Sequence, residues 1–187
     1  MKYSIVLTAA ILLSSCSSKP TPKPVSQSSA QTEYRNNVSL ASNVHPSASE
    51  IASDFSWHDR SGKLVSLSDF KGKTVLLNFW ATWCGPCKAE LPDIESLSKN
   101  YASSGLVVIG VSVDKGGSLL SDVSDFASSN GLSYQIVIDN DDIASAYGNI
   151  NAIPTTFVVN KDGKIVDKWI GTRDKAFFES SVRKYLD

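Results

Sequence analysis

Thr74-Val75-Leu76-Leu77-Asn78-Phe79-Trp80-Ala81-Thr82-Trp83-Cys84-Gly85-Pro86-Cys87-Lys88 joins a near-continuous apolar run to a Cys-x-x-Cys pair. The run Thr74 to Trp80 reads as a strand buried on both faces. Beyond the pair, Leu91, Ile94, Leu97 and Tyr101 recur at helical spacing. A strand therefore delivers the two cysteines to the start of a helix, where unpaired backbone N–H groups and the positive end of the helix dipole gather. Both features favour thiolate over thiol, so Cys84 is expected to be unusually acidic. A thiolate can attack a disulfide, and Cys87, three residues on, is within reach to resolve the mixed disulfide.

Other uses of the pair fit less well. A structural staple closing so short a loop would constrain little chain. A zinc site would need further ligands, and the sequence offers only His45 and His58. Haem attachment needs His after Cys87, where Lys88 stands. No cofactor or metal is expected.

Working outward, Phe55, Trp57 and Val65 flank the turn signal Asp59-Arg60-Ser61-Gly62, which predicts a hairpin. Leu106 to Val113 and Tyr134 to Ile138 read as further strands, with a helix from Ser118 to Ser129 between them. Asp141 to Tyr147 predicts a short helix. Thr155 to Val159 and Lys164 to Ile170 predict an antiparallel pair about the turn Lys161-Asp162-Gly163-Lys164. A last helix is expected from Thr172 onward, with Phe178, Val182 and Tyr185 on one face. Strands and helices that alternate and then close in a hairpin and helix predict an α/β domain with a mixed central sheet over residues 51–187. Pro92 falls within the helical pattern and should kink it. Pro154 directly precedes a strand, where a cis bond in a tight turn is expected.

The first 50 residues differ in character. Met1 and Lys2 precede a compact apolar stretch from Ile5 to Leu13, too short to span a bilayer and patterned like an export signal. Leu13-Ser14-Ser15-Cys16 resembles the bacterial lipobox, which implies removal of residues 1–15 and acylation of Cys16. In a host with an outer membrane, Ser17 in place of Asp implies sorting to that membrane. Residues 16–50 are rich in small polar residues and proline, and read as a flexible tether with a span of roughly 30–35 Å. The three cysteines thus divide into one for the anchor and two for chemistry. The net charge of −1 carries no footprint for nucleic acid. Lys2, Lys19 and Lys23 are too scattered for a polybasic membrane patch.

Several segments in order resemble the thioredoxin superfamily, in its TlpA/ResA-like extracytoplasmic branch. They are Leu67-Ser68-Asp69-Phe70-Lys71-Gly72-Lys73, the run Asn78 to Lys88, Glu90-Leu91-Pro92 and Ile153-Pro154-Thr155-Thr156-Phe157. About 25 residues between Lys115 and Asp139 look like that branch's additional helix–strand unit. The resemblance implies a thioredoxin-like fold, with Cys84 as nucleophile and Cys87 as resolving thiol. It implies that Pro154 is a cis-proline facing them, and that the backbone around Ile153 pairs with a substrate chain like an added strand. Trp83, Gly85 and Pro86 would complete the contact surface. Thioredoxins commonly carry a buried Asp six residues before the first cysteine; here it is Asn78, which cannot take a proton. Glu90, one helical turn after Cys87, is the substitute, and the branch carries Glu at that offset.

Members of this kind reduce disulfides of exported proteins, apocytochrome c among them, and draw electrons from a membrane thiol transporter. Asn149-Ile150-Asn151-Ala152 does not match the Gly-Val-x-Gly-Thr-Pro-Glu pattern of cytochrome-maturation members, which favours the broader substrate class. A peroxidase would want Pro and Thr where Leu77 and Ala81 stand. A redox-inactive tethered binding module would have no use for an intact Cys-Gly-Pro-Cys. The expected protein is a monomeric extracytoplasmic reductant held to a membrane by its lipid. Cys16→Ala should abolish labelling by a radiolabelled fatty acid and release the protein from the membrane fraction. A mutant that keeps both label and membrane association would exclude the lipid anchor.

Overall fold

The computed structural model describes residues 34–47 and 50–186; Cys16, the export segment and the tether up to residue 33 lie outside them. Strands β1 (Tyr34–Arg35) and β2 (Val38–Leu40) form a small hairpin. Strands β3 (Ser42–His45), β4 (Asp54–His58) and β5 (Leu64–Ser66) make a three-stranded antiparallel sheet. The main alternation follows: β6 (Thr74–Trp80), α1 (Gly85–Tyr101), β7 (Leu106–Ser112), α2 (Leu119–Ser129), β8 (Gln135–Ile138) and α3 (Asp142–Ala146). It closes with β9 (Thr155–Val159), β10 (Ile165–Ile170) and α4 (Lys175–Arg183).

The larger sheet has the order β1-β2-β8-β7-β6-β9-β10. Strand β6 lies near its centre, parallel to β7 and antiparallel to β9, and all seven of its residues are buried. The two-residue period of the strand splits them between two cores. Leu76 and Trp80 join Leu91, Ile94 and Leu97 of α1, Val123 of α2 and Phe178 of α4 on one face. Val75, Leu77 and Phe79 meet Phe55 and Trp57 of β4, Ile143 of α3 and Tyr147 on the other. Asn78 is even-numbered, so it is sent into the α1 layer. The mixed α/β architecture expected from the sequence is the one observed, with helices flanking a central mixed sheet.

Two boundaries differ from the sequence reading. The stretch assigned to the tether contains β1, β2 and β3, so the folded unit begins before residue 51. Strand β2 pairs in parallel with β8, Val38 is fully buried, and Asn37 donates to the carbonyls of Leu132 and Tyr134. The segment has too few large apolar residues to signal this from composition. Its order comes instead from docking on a ready-made sheet edge. At the other end, α4 starts at Lys175 and not at Thr172, because Asp174 caps it by accepting from Phe177 N–H at 2.9 Å. Helix α1 runs from Gly85 to Tyr101 with Pro92 inside it.

A chain that begins at Glu50 should therefore be less stable than one that begins at Tyr34. Burial of Val38 is worth about 1.5–3 kcal/mol, and the two hydrogen bonds of Asn37 are lost as well. Urea unfolding of the two chains should show a gap of at least ~2 kcal/mol; coincident curves would mean that the N-terminal strands add nothing.

Candidate active site

The site lies at the C-terminal end of β6, where the strand turns into α1. Cys84 is the N-cap of α1 in extended conformation, and its Sγ accepts the backbone N–H of Cys87 at 3.2 Å. Sulfur thus takes the place of the Ser or Asp oxygen that usually satisfies a free donor of the first turn. Pro86, in that first turn, costs no intrahelical hydrogen bond there. The two sulfurs are joined, with S–S 2.03 Å and Cα–Cα 5.3 Å. Cys87 is fully enclosed and Cys84 is 5% exposed, so Cys84 is the sulfur that an incoming partner can reach. Gly85 and Pro86 are exposed beside it, and Trp83 is 68% exposed, an unusual position for indole.

The loop before β9 supplies the opposite wall. The Ile153–Pro154 peptide is cis, as expected from the sequence. The carbonyl oxygen of Ile153 lies 3.9 Å from Cys84 Sγ. Pro154 is buried, and its carbonyl accepts Gly171 N–H at 2.8 Å. The structure thus brings Cys84, Cys87, Gly85, Pro86, Ile153 and Pro154 together, with Trp83 at the rim.

Glu90 sits one turn below Cys87 on the inward face of α1 and is fully buried. Its Oε1 accepts from Asn78 Nδ2 at 2.9 Å, and its Oε2 from Arg173 N–H at 3.2 Å. Burial pushes its pKa up from 4.5 to about 7; these two hydrogen bonds and the Arg173 charge pull the other way without cancelling it. Asn78 also donates to Thr156 Oγ1 at 2.9 Å, across the β6–β9 pairing in which the two residues face each other.

Sequence reasoning missed four contributors. Asp114, buried just beyond β7, accepts from Thr82 N–H at 3.0 Å and from Thr82 Oγ1 at 2.6 Å, and so pins the loop ahead of the cysteines. Ser112 Oγ donates to Asp114 Oδ2, the oxygen that also takes Thr82 N–H, at 2.7 Å. Thr172 Oγ1 donates to the Pro86 carbonyl at 3.1 Å, and Arg173 N–H reaches Glu90. Asp114 had one usable signal: it lies just past the end of the parallel strand next to β6, where open α/β sheets gather their site residues. Thr172 and Arg173 had none, since helix periodicity ran over them. Among the described residues no group of three or more His, Cys, Asp or Glu side chains could hold a metal ion.

This geometry is a thioredoxin-type dithiol site, and the comparisons agree with it. The profile of the AhpC/TSA family matches residues 48–168. The chain is 39% identical over 137 residues to the thiol-disulfide oxidoreductase ResA of Bacillus subtilis (strain 168), covering 73% of this chain and 72% of that one. A thioredoxin-family thiol:disulfide interchange protein from Chlorobium tepidum TLS superposes with a TM-score of 0.66 at 31% identity, over 78% of this chain and all of that one. StoA from Bacillus subtilis superposes with a TM-score of 0.61 at 28% identity, over 71% of this chain and 98% of that one. With a joined cysteine pair capping α1 beside a cis-proline, the chain belongs to the AhpC/TSA family, as a thiol–disulfide oxidoreductase of the ResA-like branch of the thioredoxin superfamily.

Proposed function

We propose that the protein works outside the cytoplasm, held to a membrane through Cys16, and reduces disulfides of exported proteins. The observation that carries this reading is the position of Cys84: it caps a helix, is the more accessible of the pair, and lies against the Ile153 carbonyl. In the reduced protein the Cys84 thiolate attacks one sulfur of the substrate disulfide. A Cys84–substrate bond forms, and the second substrate sulfur leaves as thiolate and takes a proton. Cys87 then gives up its proton and attacks Cys84 Sγ. The remaining substrate sulfur departs, and the Cys84–Cys87 bond forms as observed. Two electrons have passed from the pair to the substrate. A membrane thiol transporter returns them.

The backbone at Ile153 is the strand edge that pairs with the substrate chain, and Trp83, Gly85 and Pro86 form the surface around it. Glu90 receives the Cys87 proton. Asn78 cannot, and a carboxyl with a pKa of about 7 is suited to take and return a proton near neutrality. Apocytochrome c is one member of the substrate class. Expression of Cys87→Ala in the native host should leave substrates joined to Cys84, and their identification by mass spectrometry tests the reading directly. Recovery of cytoplasmic proteins alone would overturn the compartment.

The direction of electron flow can be measured. Equilibration in glutathione buffers should place the pair below roughly −200 mV, on the reducing side. A value near roughly −120 mV would mark an oxidant instead.

Glu90 leaves a signature in stability. Its pKa is raised on folding, so between about 4.5 and 7 the folded protein holds a proton that the unfolded chain has released. That contribution is complete below 4.5 and is lost as pH rises through 7. At about 1.4 kcal/mol per pH unit it amounts to something on the order of 3 kcal/mol. The stability difference between the oxidised wild type and Glu90→Gln should change by up to that amount across the range, and a constant difference would refute the buried acid. In the reduced protein the same variant should lower the thiol pKa values and slow resolution at neutral pH by no more than ~10²-fold. Alkylation rates against pH and single-turnover kinetics measure both; identical profiles would remove Glu90 from the chemistry.

A further inference from the structure

The amide of Asn78 is fully enclosed and unevenly used. Its Nδ2 donates to Glu90 Oε1 and to Thr156 Oγ1, each at 2.9 Å, while its Oδ1 accepts no hydrogen bond from the described residues. This arrangement fits an ionised Glu90, which accepts on both oxygens, from Asn78 and from Arg173 N–H. It does not fit a protonated one. A carboxylic acid carries one O–H donor. Both of its partners, Asn78 Nδ2 and Arg173 N–H, are donors, so neither can accept that hydrogen. A half-turn of the amide about Cβ–Cγ removes the conflict. Oδ1 then occupies the place of Nδ2, accepts the Glu90 O–H, and accepts the Thr156 hydroxyl, which can serve as donor or acceptor.

We propose that Asn78 is a positioning residue for the proton chemistry of the dithiol: its amide reverses when Glu90 takes up a proton, and the Thr156 hydroxyl reverses with it. The proposal rests on the reading of Glu90 as proton acceptor. In either orientation one end of the amide lacks a partner, so the pair of states is balanced by what Glu90 offers and not by a fixed preference of Asn78. The direction of the hydrogen bonds connects α1 to β9. Thr156 follows the cis-proline by two residues, in the segment whose Ile153 carbonyl lies beside Cys84. A proton gained on the helix is thereby registered on the strand that receives the substrate.

The groups facing Glu90 leave it to titrate by itself in the oxidised protein. Asp93, on its own helix, opposes ionisation and Arg173, from the loop after β10, favours it. Tyr134, ahead of β8, is buried and its phenol is pushed far up, so it stays neutral. Asn78 of β6 and Thr156 of β9 carry no charge, and the joined cysteines do not titrate.

The test is heteronuclear NMR on the oxidised full chain, following the Glu90 carboxyl carbon and the Asn78 side-chain amide from about pH 5 to about pH 9. The expected result is one shared midpoint. Below it the Asn78 Hδ2 protons lose their cross-relaxation to the Thr156 side chain, and the Nδ2 shift moves to that of an unbonded amide. In Glu90→Gln the same Asn78 signals should be independent of pH. An Asn78 amide that keeps its shift and contacts while Glu90 titrates overturns the proposal, most directly if the Arg173 N–H signal moves instead. So does a Glu90 carbon that fails to titrate in this range, or an Asn78 amide that still titrates in Glu90→Gln. Failure of the proton-acceptor reading is seen separately, as unchanged thiol titration and turnover in Glu90→Gln.

Discussion

Strand β6 has no solvent-facing side, and the site depends on that constraint. All seven of its residues are buried between two apolar layers, and it is hydrogen-bonded along both edges. A strand held in this way cannot slip by one residue without exchanging Leu76, Asn78 and Trp80 for Val75, Leu77 and Phe79 between the layers. Its end is therefore located to within a fraction of a residue. Cys84 inherits that location through a loop that Asp114 fastens to the neighbouring strand. The second wall of the site, Ile153 and Pro154, precedes β9, the other hydrogen-bonded neighbour of β6. Both halves of the reactive centre are thus referenced to the same strand.

The local electrostatics work in opposite directions. The first turn of α1 offers N–H groups and a positive dipole end to sulfur, and the Cys87 N–H is already directed at Cys84. One turn further into the protein, a buried carboxyl is kept near the balance point between its charged and neutral forms. An apolar core supplies the raising influence, and two hydrogen bonds with the Arg173 charge supply the lowering one. The Asn78 amide is one of the influences that keep this carboxyl from rising further.

The parts of this arrangement that were legible in the sequence were those with a strong local pattern. Thr74 to Trp80 announced a doubly buried strand because seven consecutive residues avoid charge, and the structure bounds it at the same residues. The Cys-x-x-Cys pair at a strand-to-helix junction and a proline ahead of Thr-Thr-Phe located the site by chemistry that few other arrangements share. What escaped was non-local. Residues 34–40 look like linker because their order comes from the edge of β8, with the bonds of Asn37 reaching 95 or more residues along the chain, while β3 pairs with β4. Thr172 and Arg173 look like the start of a helix because apolar spacing extends over them; Asp174 caps the helix later and frees the two residues to reach Pro86 and Glu90.

The docking of β2 on β8 also closes one edge of the larger sheet. Without it, β8 would present a parallel edge of four residues, Gln135 to Ile138, whose open N–H and C=O groups invite another chain to add a strand. β2 covers that edge and hands its own outer side to β1, which is only two residues long. At the opposite edge, β10 breaks its register between Ile165 and Asp167 and carries the exposed Lys168. Among the described residues, a sheet whose borders are a two-residue strand on one side and a bulged, charged strand on the other offers a neighbouring copy little to extend.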